Sequence, residues 1–150
     1  MISLGLLVLR LVFGTGIALH GFPKLFGGQG RKVSPEAERV LGAGFSQSME
    51  RGGFNNVVGM MQRMEAPGSP QALAGAHVSA ELFGGLALIL GWHTRLAALA
   101  LMINMATAIR KIHWDKGIMG QGGAEMPALY FGAFLALFLT GPGKLSLDRG

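Results

Sequence analysis

Cysteine is absent from the 150 residues of this chain. That absence excludes thiol redox catalysis, a thiolate metal site and a disulfide staple within it, so any electron chemistry needs another carrier. Charge is scarce too: Asp, Glu, Lys and Arg make up 14% of the residues, against about 25% in an average soluble domain. The formal net charge is +5, but the cations sit next to predicted helix ends. No aromatic or glycine-rich nucleic-acid motif accompanies them, and nucleic acid is not expected as a partner.

Half of the residues are hydrophobic, and they gather in four stretches: about 3–26, 72–90, 94–112 and 124–140. A water-soluble bundle would show charged outer faces. Here Leu82 to Leu90 is apolar all round, as is Leu96 to Met105 apart from Asn104, so these helices face lipid or a fully buried core. The expected fold is all-α: a membrane-embedded antiparallel four-helix bundle forming one domain over 1–150, with short interfacial amphipathic helices in the first long connection. The first stretch does not read as a cleaved secretory signal, because Met1 to Leu9 lacks basic residues and Arg10 interrupts the apolar run; it is expected to be a permanent helix.

Within the connection over 27–70, Ser34-Pro35-Glu36 reads as an N-cap, a proline in the first turn and an acid suited to the helix dipole. One amphipathic helix presenting Val40, Leu41, Phe45 and Met49 should follow. After Gly52-Gly53, the spacing of Phe54, Val57, Val58 and Met61 predicts another. Both suit either the membrane interface or the cover of a bundle mouth. Met60, Met61 and Met64 read as an adaptable apolar face and not as a copper site. Ala76, Ala80 and Gly84, and likewise Ala128, Gly132 and Ala136, recur every four residues as faces for close helix packing. His93-Thr94-Arg95 permits only an antiparallel hairpin between the second and third stretches. Four crossings place Arg95, Lys144 and Arg149 on the side of the termini. Lys24, Arg31, Lys32, Arg39, Arg51, Arg63, Arg110, Lys111 and Lys116 lie on the other, which the positive-inside rule makes cytoplasmic.

The ionisable residues inside the apolar stretches are the functional clue, since a charge at mid-bilayer costs roughly 2.5 to 3.5 kcal/mol or more. The topology gathers His20, Lys24, His77, Arg110, His113 and Glu125 toward one end, with Glu81 roughly 14 Å inside its helix and Arg10 reaching from the opposite surface. An Arg10 to Glu81 ion pair is the first structural expectation. The alternative is a protonated Glu81 serving as packing glue through one interhelical hydrogen bond. His77, four residues before Glu81, is either a proton relay or a solvated histidine at a helix start. Asn104 reads as an interhelical hydrogen-bonding residue. His20, His77 and His113 at similar depth raise haem ligation, but no spacing signature supports it, and neither a bound metal nor a covalent cofactor is expected.

An ordered set of motifs resembles the DoxX family of small four-helix membrane proteins. It comprises Leu9-Arg10-Leu11, His20-Gly21-Phe22-Pro23-Lys24-Leu25-Phe26, Glu81-Leu82-Phe83-Gly84-Gly85-Leu86 and Gly91-Trp92-His93-Thr94-Arg95-Leu96-Ala97. His113, Gly122-Gly123-Ala124-Glu125 and Gly141-Pro142-Gly143-Lys144-Leu145-Ser146-Leu147-Asp148 complete it. The resemblance implies a multi-pass protein of the cell inner membrane with Arg10, His20, Lys24, Glu81, His113 and Glu125 at recurrent polar positions. It also implies a link to quinone-dependent sulfur oxidation, terminal quinol oxidases or oxidative-stress complexes. The longer segment around 28–53, and Ala124 and Pro127 beside Glu125, depart from the usual pattern.

Together these features suggest a redox-associated subunit, part of a membrane oxidoreductase complex, whose polar pocket holds a quinone-like or other small ligand. Arg10, His20, Lys24, His77, Glu81, His113 and Glu125 are the candidates for ligand and proton handling, without an assigned catalytic residue. The lipid bilayer is the expected environment. A partner subunit or soluble redox enzyme would supply electrons, and a homo-oligomer is compatible with the small bundle. The other readings are a small transporter or proton path lined by Arg10, Glu81 and Glu125, and a scaffold subunit whose polar residues serve only packing.

Overall fold

The computed structural model describes residues 1–65 and 67–148; Arg149, counted above among the cations on the side of the termini, lies outside them. The described residues are helical almost throughout: α1 (Ile2–Phe26), α2 (Pro35–Leu41), α3 (Ala43–Arg51), α4 (Phe54–Arg63), α5 (Pro70–Ser79), α6 (Gly85–Leu90), α7 (Thr94–Ala108) and α8 (Glu125–Thr140). A π-helical turn, Ala80–Gly84, joins α5 to α6. A second one, Ile109–His113, extends α7 and runs into a short 3-10 turn, Trp114–Lys116.

Among the described residues, three helical segments are long and apolar enough to cross a bilayer: Ile2–Phe26, Pro70–Leu90 and Thr94–Lys116. With several candidate spans the chain is a multi-pass membrane protein. Leu4, Val8 and Val12 on α1, and Leu96, Leu99 and Ile103 on α7, turn outward, as lipid-facing side chains do. Helix α8 is apolar but has 16 residues, about 24 Å of rise against a hydrocarbon core of about 30 Å.

Two compact units divide the chain, Met1–Ala18 with Phe83–Gly150, and Leu19–Leu82. In the first, Ile17, Leu88, Ala97, Ala98, Leu101, Met105, Phe134 and Leu137 form the core, and the turn at His93 folds α6 and α7 into the expected hairpin. In the second, Val57 and Met61 of α4 pack on Ala74 and Val78 of α5, so the apolar stripe after Gly53 is a packing face. Phe22 stacks on Phe45 with ring centroids 6.4 Å apart. The carbonyl of Pro23 accepts from the backbone N–H of both Gly27 and Gly53.

Several expectations are corrected. The single helix expected after Ser34 is two, α2 and α3, broken at Gly42; its start is as read, with Ser34 Oγ accepting from Ala37 N. The small-residue stripes are buried only in part: Ala76, Ala128 and Gly132 are exposed and Ala80 and Ala136 half-buried, Gly84 lies against Leu101, whose side chain a Cβ there would meet at 3.3 Å, and Ala133, Phe134 and Leu137 fill the core. Large side chains on the neighbouring helical face remove more apolar surface, so they, not the small residues, set how α8 faces that core.

Candidate functional site

Lys24, His77 and Glu81, all within the 19–82 unit, meet in one cluster. Lys24 lies in the last turn of α1, His77 in the last turn of α5, and Glu81 on the π turn that follows. Lys24 Nζ donates to Glu81 Oε1 at 2.7 Å and lies 2.6 Å from Oε2. It also lies 3.0 Å from His77 Nε2, and that nitrogen is 3.3 Å from Glu81 Oε1. The Glu81 side chain is 3% exposed and that of Lys24 31%, so the carboxylate is buried and the ammonium reaches it from the surface.

Two sequence features produce this geometry. The four-residue spacing of His77 and Glu81 would stack them on one face of an α-helix. The π turn over 80–84 inserts an extra residue there, a local widening that is frequent at functional sites. Gly21 brings α1 close: a Cβ at that position would stand 2.8 Å from Leu82 N and 2.9 Å from Glu81 Cβ. Without a side chain at Gly21, the backbone of α1 lies against the π turn, and Lys24, nearly one helical turn later, comes within reach of the carboxylate.

The chemistry of the cluster turns on one atom. His77 Nε2 stands between an ammonium, which can only donate, and a carboxylate, which as an anion can only accept. It accepts from Lys24 when it carries a lone pair, and donates to Glu81 when it carries a proton. The two states exclude each other, so moving one proton exchanges the hydrogen bonds of all three groups.

Arg10 does something else. It is fully buried and donates from Nη2 to the carbonyl of Leu145; no acceptor meets Nε or Nη1 among the described residues. The C-terminal segment that supplies Leu145 crosses the α6 to α7 turn, where Leu147 N donates to Leu90 O at 3.2 Å and Asp148 N to Gly91 O at 2.7 Å. Asp148 then accepts from the backbone N–H of His93 at 2.7 Å and of Thr94 at 2.8 Å. Because no side chain at the His93 N-cap serves α7, a residue 54 positions away caps that helix. Burial pushes the Asp148 carboxyl up, but the hydrogen bonds from Thr94 and His93 outweigh it, leaving the group below its ordinary value. Gly91, at φ +66, leaves room for the guanidinium, which a Cβ would overlap.

The expected Arg10 to Glu81 pair is therefore replaced by two separate arrangements, Glu81 with Lys24 and His77, and Arg10 with the C-terminal segment. The solvated reading of His77 is also overturned, since its side chain is 10% exposed and engaged. His20 is exposed on α1. In the other unit, Glu125 and Arg110 are exposed, and His113 Nδ1 meets the carbonyl of Gly122. Leu145, Asp148 and the backbone of Thr94 were not read as a site. Their signal was a lone acid after Gly141-Pro142-Gly143 and a helix start without a local cap. A cavity of about 550 Å3 in the 19–82 unit, its lining half polar and half apolar, is walled by Gly27, Glu50, Arg51, Phe54 and Asn56, and excludes the Lys24 cluster.

Comparison with known proteins agrees with the motif reading. The DoxX family model matches residues 5–114, a range that holds Arg10, Lys24, His77, Glu81 and His113 and stops short of Glu125 and Asp148. The inner membrane protein YphA of Escherichia coli K12 is 35% identical over 116 residues, 71% of this chain and 77% of its own. The inner membrane protein YqjF of the same organism is 30% identical over 109 residues, 65% of this chain and 76% of its own. No solved structure matches. With the family model spanning most of its length and the Lys24, His77 and Glu81 cluster inside the matched range, the chain belongs to the DoxX family.

Proposed function

We propose that this protein is a redox-associated subunit of the inner membrane in which Lys24, His77 and Glu81 bind the polar end of a quinone-like ligand and manage its protons. The observation that carries the reading is the position of His77 Nε2, 3.0 Å from the Lys24 ammonium and 3.3 Å from the Glu81 carboxylate. A cation beside a proton-exchanging imidazole fits a carbonyl oxygen that gains negative charge and then a proton. Lys24 holds that oxygen, His77 delivers or receives the proton, and Glu81 compensates the charge left behind. The bound quinone supplies the two-electron chemistry, and a partner subunit or soluble enzyme supplies the electrons.

In this reading α8 is a fourth crossing, reaching the interfaces through its flanking loops, and the long connections are cytoplasmic. YphA and YqjF are inner membrane proteins, which supports the inner membrane as the compartment. The test is a titration of purified protein with a short-chain quinone, with and without Glu81→Gln. A loss of affinity of about tenfold is expected, the scale of one charge-assisted hydrogen bond. Unchanged affinity removes Glu81 from the site.

A further inference from the structure

The segment over 141–148 crosses the α6 to α7 turn with polar groups turned inward and its leucines outward. The carbonyl of Leu145 meets Arg10, and the two carboxylate oxygens of Asp148 take the backbone N–H of His93 at 2.7 Å and of Thr94 at 2.8 Å. Leu145 and Leu147 are exposed. Leu147 N to Leu90 O, Asp148 N to Gly91 O and Lys144 N to Ser3 Oγ add to a hold made of polar bonds. Such a hold is exchangeable, because another polar group can take over the same bonds at little net change.

Beneath the segment lie two features that suit an anion. Helix α7 is 15 residues long, its N-terminus carries partial positive charge, and two of its N–H groups grip one carboxylate. Arg10 is the second. Its guanidinium is fully buried, Nε and Nη1 meet no acceptor among the described residues, and the Asp148 charge acts on it. Nη1 lies against the turn, where a Cβ on Gly91 would overlap it. A guanidinium stays charged and carries five N–H donors, so this one has donors unused beside a seated carboxylate. The group already seated identifies the class of ligand: two oxygens for two N–H groups, with a cation alongside. Leu90 and Trp92 next to the site are exposed, and one candidate span ends at Leu90 while the next begins at Thr94. A carboxylate on an acyl chain would reach the site from the bilayer, and a small one from water.

We infer that the N-terminus of α7 together with Arg10 is a binding site for a carboxylate ligand, and that Asp148 is its built-in competitor. Lys24, His77 and Glu81 take no part in it. The test uses the full chain in nanodiscs, wild type and Asp148→Ala, with acetate in the buffer or oleate in the lipid. Sodium chloride at equal ionic strength and methyl oleate are the controls. Asp148→Ala removes the competitor, so a carboxylate should raise its thermal midpoint saturably, and that of the wild type only at about tenfold higher concentration, the scale of one helix cap. Adding Arg10→Lys to Asp148→Ala should weaken the rescue about tenfold, because an ammonium lacks the planar fork of donors. Rescue by oleate alone assigns the ligand to the bilayer and rescue by acetate assigns it to water; either supports the site. Leu147→Cys gives this cysteine-free chain one thiol for a nitroxide, whose mobility should rise as the ligand displaces the segment. An Asp148→Ala midpoint that neither carboxylate moves, a rise matched by chloride or methyl oleate, a rescue indifferent to Arg10→Lys, or a nitroxide still immobile at saturation would each overturn the proposal.

Discussion

Lys24 and Glu81, 57 residues apart in the chain, face each other with Nζ 2.7 Å from Oε1 and 2.6 Å from Oε2. Lys24→Met leaves the buried carboxylate with His77 as its remaining partner in the cluster and should destabilise the protein by about 2 to 3 kcal/mol. That is below the roughly 3 to 5 kcal/mol for breaking a fully buried pair, because the Lys24 side chain is 31% exposed. Glu81→Gln should cost less, and the double variant less than the sum. Equilibrium unfolding in mixed micelles measures all three, and additive losses would show that the pair is not coupled.

The opposite holds for Arg10 and Glu81. Since Arg10 serves the Leu145 carbonyl and Glu81 serves Lys24, Arg10→Met and Glu81→Gln should add within about 0.5 kcal/mol in the same experiment. A double variant milder than the sum would restore the direct ion pair.

Asp148 ties the C-terminal segment to α7, and Asp148→Ala should cost about 0.5 to 2 kcal/mol, the range for loss of a helix N-cap. The pH dependence follows in sign. The folded carboxyl lies below its ordinary value, so its contribution is fully present above the unfolded value of about 3.9 and is lost as pH falls through the lower folded value. The stability difference between wild type and Asp148→Ala should shrink below about pH 4. A gap that widens there would contradict the capping role.

Gly91→Ala should destabilise by about 1 to 2 kcal/mol, because φ is +66 and the new Cβ overlaps the Arg10 guanidinium. The same change in an Arg10→Met background should cost less, as the clash is gone. Thermal unfolding of the two pairs reads the difference, and equal costs would place the strain in the backbone alone.

The apolar stretches and their helical state were legible from hydropathy and from Gly and Pro at their ends. The four-residue step from His77 to Glu81 already placed those two near each other. Two things were not legible. The π turns at 80–84 and 109–113 follow from tertiary packing, which no local propensity signals. The partner of Arg10 is a backbone carbonyl, and carbonyls carry no residue identity. The rule that charges in an apolar helix pair with opposite charges therefore selected Glu81, whereas Lys24, counted as a cation at the mouth, reaches Glu81 because Gly21 admits α1 to the π turn.

The most direct test of the central claim, that Lys24, His77 and Glu81 form one proton-exchanging group at a ligand, is an isotope-edited infrared difference spectrum. It would be taken on protein with labelled glutamate carboxyl carbons before and after addition of a short-chain quinol. The account predicts that the carboxylate band of Glu81 shifts within the carboxylate region as its hydrogen bonds to Lys24 and His77 change, and that the shift vanishes in Glu81→Gln. A difference spectrum in which no labelled carboxyl responds to the quinol, or in which the same bands persist in Glu81→Gln, would contradict it.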